Sequence, residues 1–183
     1  MNSILLLCGG PDDRPMSLSN LFPKANFVVE NWDLANGPQR DPTDDAAWDI
    51  LIARVRPREF AAAFASPACT TFSRLRNKPG GPPPLRGIDG ASRYGLGGLS
   101  IPSKELVRTH NLIAIRVAEV LHALAEYGVP WLFENPALID NEVSILKLDE
   151  YIRLLGLPNV GHVVGVQCPF CAISSKPTSW VGH

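Results

Sequence analysis

Residues 3–10 read Ser-Ile-Leu-Leu-Leu-Cys-Gly-Gly and combine a continuous apolar run with two glycines. A short apolar run that ends at a glycine turn is typical of a buried β-strand. Similar short apolar segments recur along the chain, and we predict that each of them forms a strand. Besides residues 3–7, the predicted strands are residues 26–29, 60–65, 131–133 and 160–166.

Segments with helical periodicity separate these predicted strands. The clearest is residues 104–127, where apolar side chains recur at helical spacing until Gly128 ends the helix. Shorter helices are predicted at residues 17–22 and 146–155. Residues 41–54 are predicted to form a turn and a helix with Asp44 and Asp45 in its first turn, and residues 167–178 a turn-rich tail that ends in 179–181. This alternation predicts an α/β fold with a mostly parallel sheet and helices on both faces. A length of 183 residues predicts a single domain, residues 1–183.

A proline- and glycine-rich stretch interrupts the alternation at residues 74–103. Long loops in compact domains are often functional, and this one carries a basic cluster. The cluster consists of Arg74, Arg76, Lys78, Arg86 and Arg93. A net charge of −1 argues against a strongly basic nucleic-acid-binding protein but is compatible with a local basic patch. A solvated loop without a ligand is the alternative interpretation.

Residues that can bind a ligand or take part in a reaction follow four of the predicted strands. In an open parallel sheet, ligands bind beyond the carboxyl ends of the strands. Gly9 and Gly10 allow the backbone to approach a ligand closely, and Asp33 stands where nucleotide-binding folds place a carboxylate on ribose hydroxyls. Cys69 and Glu134 add a thiol and a second carboxylate. The alternatives are a plain turn for the glycines, an exposed position in a turn for Asp33 and a buried core thiol for Cys69.

Several of these strand ends resemble the DNA cytosine-5 methyltransferase family. Ser66-Pro67-Ala68-Cys69-Thr70-Thr71-Phe72-Ser73 is similar to the family's Pro-Cys nucleophile loop, and Phe133-Glu134-Asn135-Pro136 is similar to its Glu-Asn-Val motif. Residues 5–10 resemble its methionine-site glycine turn, and Trp32-Asp33 its ribose-binding acid. Gln167-Cys168-Pro169-Phe170 and Lys176-Pro177-Thr178 resemble the tail of compact relatives borne by phages or mobile elements.

The resemblance implies a Rossmann-like S-adenosylmethionine-dependent methyltransferase that acts on carbon-5 of cytosine in DNA. It implies that the Cys69 thiolate adds to carbon-6 of the base, and that a protonated Glu134 stabilises charge at ring N3. The implied cofactor contacts are Cys8, Gly9, Gly10, Asp33 and Asp41. The implied substrate contacts are Ser73, Arg74, Arg76 and Asn135. Arg74 or Arg76 is also expected to lower the pKa of the Cys69 thiol.

The chain departs from the family pattern at several points. Ala68 stands directly before Cys69, where the family has proline, and Pro136 replaces the usual valine. The family's target-recognition domain and its arginine-bearing motif have no counterpart, so DNA recognition is expected from residues 74–103 or from a protein partner. Two alternatives stay open: a methyltransferase-fold binding or regulatory subunit without turnover, and methylation of RNA or of a free nucleotide.

The four cysteines are expected to be reduced, because the sequence shows no secretory signal. Cys168 and Cys171 form one Cys-x-x-Cys, which is half of a structural zinc site, and His162 and His183 do not complete a standard spacing. We therefore predict packed thiols and no metal. No apolar run approaches the roughly 20 residues of a membrane helix. The expected location is intracellular, cytoplasmic if the protein is bacterial or phage-encoded and nuclear if it is eukaryotic.

Overall fold

The computed structural model describes residues 3–14, 17–56, 58–166 and 177–183, and a six-stranded sheet forms its centre. The strands are β1 (Ser3–Leu7), β2 (Val28–Trp32), β3 (Ala62–Ala65), β4 (Trp131–Pro136), β5 (Gly161–Val166) and β6 (Pro177–Gly182). The helices are α1 (Leu18–Leu21), α2 (Asp45–Val55), α3 (Ile101–Glu126) and α4 (Asp149–Leu155). None of the helices in these ranges is both long and apolar enough to cross a membrane.

The sheet has the strand order β2-β1-β3-β4-β6-β5 and is mixed. β1 pairs in parallel with β2 and β3, and β3 pairs in parallel with β4. β6 lies antiparallel between β4 and β5, so the other strands share one direction. The predicted α/β class is confirmed. The expectation of a turn-rich tail is wrong at residues 177–182, because these residues form β6; its terminal proline and glycine are weak strand formers and concealed it.

The two faces of the sheet are covered unequally. Leu5 and Leu7 of β1 are buried in the main core, to which α2, α3 and α4 contribute their apolar sides. Leu6 points to the opposite face, where its strand neighbour Asn31 hydrogen-bonds Ser19 of α1. Helices therefore lie on both faces, with three on the first face and the single turn of α1 on the second within the described ranges.

Side-chain caps set where α2 and α3 begin. α2 lies within the turn and helix predicted at residues 41–54 and begins directly after Asp44, whose side chain accepts a hydrogen bond from a backbone N–H of the first turn. α3, predicted from residue 104, begins directly after Ser100, which caps its first turn in the same way. The helices predicted at residues 17–22 and 146–155 each consist of a short α-helix and a 3-10 turn. The second strand lies at Val28–Trp32, further along the chain than predicted.

The stretch 74–103 is exposed over residues 77–84 and fastened to the protein in its middle. Its two 3-10 turns are Arg74–Asn77 and Gly90–Tyr94. The Tyr94 hydroxyl donates to Glu150 at 2.8 Å and accepts from the Asp149 backbone N–H at 3.0 Å. Arg93 also donates to the Asp149 carboxylate at 2.9 Å. The middle of the loop is therefore tied to the first turn of α4.

Candidate functional site

The direction in which the chain crosses the sheet reverses at β1 and β3. From β1 the chain moves to β2 on one side, and from β3 it continues to β4 on the other side. In open α/β sheets, ligands bind at such a point, in the crevice outside the carboxyl ends of the strands. A cavity of about 860 Å³ opens there, a size typical of small-molecule sites. It is lined by Cys8, Gly9, Gly10, Arg14, Ser17, Leu18, Asp33, Leu34, Pro42, Phe64, Ser66, Ala68, Ile113, Glu134 and Trp180.

The glycine turn after β1 is held by Asn31 of β2, a residue to which the sequence assigned no role. Gly9 donates its backbone N–H to Asn31 Oδ1 at 3.3 Å, and Asn31 Nδ2 donates to the Gly10 carbonyl at 2.8 Å. A Cβ added to Gly9 would lie 2.7 Å from Asn31 Oδ1, so a protein side chain already accounts for glycine at this position. Gly10 has φ +77°, a conformation that favours glycine.

The two carboxylates expected at the cofactor lie in different settings. Asp33 lines the cavity and accepts hydrogen bonds from the backbone N–H groups of Gly10 and Ala35, both at 2.9 Å. The Asp41 carboxylate accepts from the N–H and the hydroxyl of Thr43, both at 2.7 Å, in the turn before α2. The structure thus brings Asp33 to the glycine turn and keeps the Asp41 carboxylate outside the cavity lining.

Cys8 connects β1 to the glycine turn and lines the cavity. Its φ of 60° lies in the left-handed region, which is uncommon for a residue other than glycine. Burial, with a smaller contribution from the charge of Asp33, raises the pKa of the Cys8 thiol. The thiol therefore stays protonated at neutral pH and forms a neutral part of the cavity wall.

Two hydrogen bonds clamp the loop after β3 to the end of β4. The Ser66 hydroxyl donates to Glu134 Oε2 at 2.7 Å, and Asn135 Nδ2 donates to the Pro67 carbonyl at 3.1 Å. Ser66 and Glu134 both line the cavity, whereas Asn135 is buried. The structure therefore brings the predicted cysteine loop and the Glu-Asn segment together, and it uses the Asn135 amide to hold that loop.

Cys69 lies two residues beyond Pro67 and is half-buried. With φ −86° and ψ 5°, it adopts a sparsely populated backbone conformation in which active-site residues often occur. The cavity lining includes its neighbour Ala68 but not Cys69 itself. The thiol is therefore not packed away in the core, and it lies one residue along the chain from the cavity that holds Glu134.

A buried guanidinium supports the residues that follow Cys69. Arg86 is 2% exposed and lies 3.7 Å from the centre of the Phe72 ring. It donates to the Thr71 hydroxyl at 2.9 and 3.1 Å and to the Asn111 side-chain oxygen at 2.6 Å. Burial lowers its pKa to about 10, so it remains charged at neutral pH. Arg86 is neither part of a DNA-facing patch nor a solvated loop residue, so both interpretations of the basic cluster are wrong for this residue.

The other residues expected to contact substrate contribute to the structure of the loop. The Ser73 hydroxyl caps the following 3-10 turn. Arg76 donates to the carbonyls of Thr70 at 3.0 Å and Pro83 at 3.1 Å. Neither Ser73 nor Arg76 lines the cavity. The Arg74 side chain lies outside what the structure describes.

Two of the cavity-lining side chains that the sequence did not indicate have chemistry suited to a ligand, Arg14 and Trp180. Arg14 is exposed, and it is the one cation among the lining residues that the structure describes. Its position shortly after the glycine turn was the available signal. Trp180 lies on β6 directly opposite Glu134 on β4, and it could have been found only by recognising β6 as a strand.

Metal binding receives no support from the described part of the chain. Within those ranges, no group of three or more His, Cys, Asp or Glu side chains is arranged to hold a metal ion. Cys168 and Cys171 lie outside the described residues, as do Gln167, Pro169, Phe170 and Lys176 of the tail motifs.

Comparisons of the whole chain with known proteins complete the description of the site. Protein-family models, curated proteins and solved structures were compared with the chain, and none of them matches it. The functional assignment consequently depends on the geometry of the cavity and on the residues that surround it.

Proposed function

We propose that the protein is an S-adenosylmethionine-dependent methyltransferase with a Rossmann-like fold that acts on carbon-5 of cytosine in DNA. The observation that carries this proposal is the clamp between the cysteine loop and the Glu-Asn segment. Ser66 lies 2.7 Å from Glu134, and Asn135 holds the loop two residues before Cys69. A thiol and a carboxyl group are thereby placed on neighbouring strand ends, beside a cavity of about 860 Å³.

The charges around the cavity fit S-adenosylmethionine. Asp33 orders the glycine turn and has further lone pairs that can accept hydrogen bonds from ribose hydroxyls. Arg14 lies close to the turn, since a Cβ added to Gly10 would lie 3.2 Å from its guanidinium, and it can pair with the methionine carboxylate. The protonated Cys8 thiol adds no negative charge that would repel this carboxylate. When bound, the cofactor supplies the methyl group.

Side chains of the protein would prepare the base for this transfer. Carbon-5 of cytosine is a weak nucleophile, and addition of the Cys69 thiolate to carbon-6 makes it a strong one. The Glu134 carboxyl group would hydrogen-bond ring N3 and stabilise the developing charge, with Ser66 orienting that group. After carbon-5 receives the methyl group, a water molecule would take the carbon-5 proton, the electron pair of that bond would re-form the carbon-5–carbon-6 double bond, and the thiolate would leave carbon-6 with the electron pair of the sulfur–carbon bond. The reaction requires the Cys69 sulfur to reach the part of the wall that Ala68 lines.

The loop charges favour recognition of an exposed base over a large duplex contact. Arg86 is buried, and Arg93 is paired with Asp149, so these two members of the basic cluster are engaged within the protein. Lys78 is exposed. Because the target base must leave the helical stack to reach Cys69, single-stranded or locally opened DNA is the better substrate. A protein partner that supplies target recognition is the other proposed route to DNA recognition.

A second candidate function is a methyltransferase-fold binding or regulatory subunit that has lost turnover. The observation that favours it is the cavity lining, in which Ala68 is present and Cys69 is absent. This candidate keeps the cofactor contacts of Asp33 and Arg14 but requires no adduct at Cys69. The same active-site geometry would also accept RNA or a free nucleotide, and substrate competition separates these from DNA.

Transfer of a labelled methyl group from S-adenosylmethionine to cytosine-containing DNA tests the proposal. DNA that carries 5-fluorocytosine should trap the Cys69 adduct, because carbon-5 cannot then lose a proton. Cys69→Ser should abolish the adduct, and Glu134→Gln should slow transfer by about 10²-fold or more. Both variants should keep their affinity for S-adenosylhomocysteine in calorimetry. Glu126→Gln, which changes an exposed carboxylate at the end of α3, is the matched control and should leave the rate unchanged.

The same measurements separate the candidates. Binding of S-adenosylhomocysteine without methyl transfer and without an adduct would favour the binding subunit. A failure to bind S-adenosylhomocysteine or S-adenosylmethionine would exclude both candidates. Transfer that persists in Cys69→Ser would retain the methyltransferase assignment but refute the covalent mechanism.

A further inference from the structure

Trp180 differs from the other tryptophans of the chain in its surroundings. Trp32, Trp48 and Trp131 are between 2% and 3% exposed, whereas Trp180 is half-buried and lines the cavity. An indole that faces a cavity offers a flat, polarisable surface, and such surfaces stack well on planar rings. The position of Trp180 therefore suggests a contact with a ligand.

The sheet register places this indole beside the proposed catalytic carboxyl group. Trp180 of β6 pairs directly with Glu134 of β4, so both side chains leave the same face of the sheet. Side chains directly opposite each other in an antiparallel pair have Cβ atoms about 4.5–5.5 Å apart. Phe64 of β3 lies on that face as well and lines the same cavity. An aromatic surface and a carboxyl group are thus neighbours on one wall.

The two sides of the cavity offer different chemistry. The side formed by β1 and β2 supplies the glycine turn, Asp33 and Arg14, which match the polar groups of the cofactor. The side formed by β4 and β6 supplies Glu134 and Trp180, which match the polar edge and the flat face of a heterocycle. A base that has left the helical stack loses its stacking neighbours, and an aromatic side chain can replace them.

We propose that Trp180 stacks on the ring of the acceptor base and positions it so that its polar edge meets Glu134. This inference rests on the proposed function and specifies its substrate as a planar pyrimidine presented as an unstacked nucleotide. Trp180 is a positioning and specificity residue in this scheme, and it takes no part in bond formation. Phe64 contributes apolar surface on the same wall.

Tryptophan fluorescence provides a direct test, because Trp180 is the tryptophan that lines the cavity and the other three are enclosed. The wild-type protein is saturated with S-adenosylhomocysteine and then titrated with a single-stranded oligodeoxynucleotide that contains one cytosine. A matched oligodeoxynucleotide with an abasic site at that position is the ligand control. The cytosine oligodeoxynucleotide should quench the emission further, and the abasic one should not.

Variants of Trp180 extend the test to binding and turnover. Trp180→Leu should weaken binding of the cytosine oligodeoxynucleotide by about 5- to 150-fold, as is typical for a lost base–aromatic stack, and should raise KM more than it lowers kcat. Trp180→Phe should restore most of the affinity because it keeps an aromatic ring. Leu132→Ala, on the same face of β4 but outside the cavity lining, is the matched control and should leave affinity unchanged.

The outcomes distinguish this inference from the proposed function. Quenching by cytosine without methyl transfer would support the role of Trp180 and refute the proposed enzyme. Methyl transfer with no quenching, and with unchanged affinity in Trp180→Leu, would overturn the role of Trp180 and leave the enzyme intact. Complete quenching by S-adenosylhomocysteine alone would also overturn it, because the indole would then contact the cofactor.

Discussion

The packing of Gly9 against Asn31 leads to a sharp prediction about the substitution Gly9→Ala. Gly9 does not have a positive φ, so the backbone does not require glycine and the new methyl group destabilises through its contacts. The added Cβ would lie 2.7 Å from Asn31 Oδ1 and 3.2 Å from Asn31 Cγ. Asn31 cannot move away freely, because its amide nitrogen lies 2.8 Å from both the Gly10 carbonyl and the Asp12 carboxylate. Relief of the overlap must therefore break hydrogen bonds.

The expected cost follows from these contacts. Overpacking a tight site costs about 1–3 kcal/mol, and each buried hydrogen bond lost adds about 1 kcal/mol. We expect Gly9→Ala to lower the free energy of unfolding by about 2–4 kcal/mol, measured by urea denaturation. Gly97→Ala is the matched control: Gly97 is exposed and has no heavy atom within 4 Å of an added Cβ, so its effect should stay within about 0.5 kcal/mol.

A double-mutant cycle isolates the cause. Asn31→Ala removes the atoms that the new methyl group would meet, so Gly9→Ala should cost less than about 1 kcal/mol in that background. The coupling free energy between the two positions should then be about 2 kcal/mol. Equal costs of Gly9→Ala with and without Asn31 would refute the argument, and glycine at this position would need another explanation, such as the approach of a ligand.

Three further predictions concern the residues that support the cysteine loop. Asn135→Ala leaves the Pro67 carbonyl without its side-chain donor and should cost about 1–3 kcal/mol of unfolding free energy in urea; no change would contradict the clamp. Arg86→Lys keeps the charge but loses the planar fork that reaches several acceptors, and should lower the unfolding free energy by about 2–4 kcal/mol, whereas a thermal midpoint equal to that of the wild type would count against it. His110 of α3 supports the same loop, since its ring Nδ1 lies 3.2 Å from the Thr71 hydroxyl. Burial and nearby positive charges lower the pKa of His110, so the unfolded chain binds a proton at higher pH than the folded chain. Stability should therefore fall as pH drops from about 6.5 towards the folded pKa, and His110→Gln should remove this dependence in pH-resolved denaturation.

Elements with strong local signals were predictable from the sequence. β1 is a continuous apolar run that ends at glycines, and α3 repeats apolar side chains over many turns, so both were placed within a few residues. β6 was not, because its terminal proline and glycine are weak strand formers and leave no local strand pattern. The consequence was a sheet predicted as mostly parallel that is in fact mixed.

The roles of individual site residues were less predictable than their positions. Glu134 and Asp33 are expected at strand ends and line the cavity. For Gly9 the sequence offers the approach of a ligand or a plain turn, whereas in the structure Asn31 occupies the space beside it. Arg86 was expected to belong to a surface charge cluster. Its burial depends on acceptors such as Asn111 on α3, which no local pattern in the loop reveals.

The insertion of β6 between two strands that precede it has a consequence for how the protein folds. β5 emerges from the ribosome before β6, and within the described chain β6 is the strand through which β5 joins the sheet. Completion of the sheet therefore requires docking of β6 on β4, and β5 joins the sheet through β6 in an antiparallel hairpin. Until that docking, β4 exposes an unpaired edge, which is a template for association with other chains. Solubility during synthesis should accordingly be sensitive to changes in the hairpin that leave the finished cavity intact.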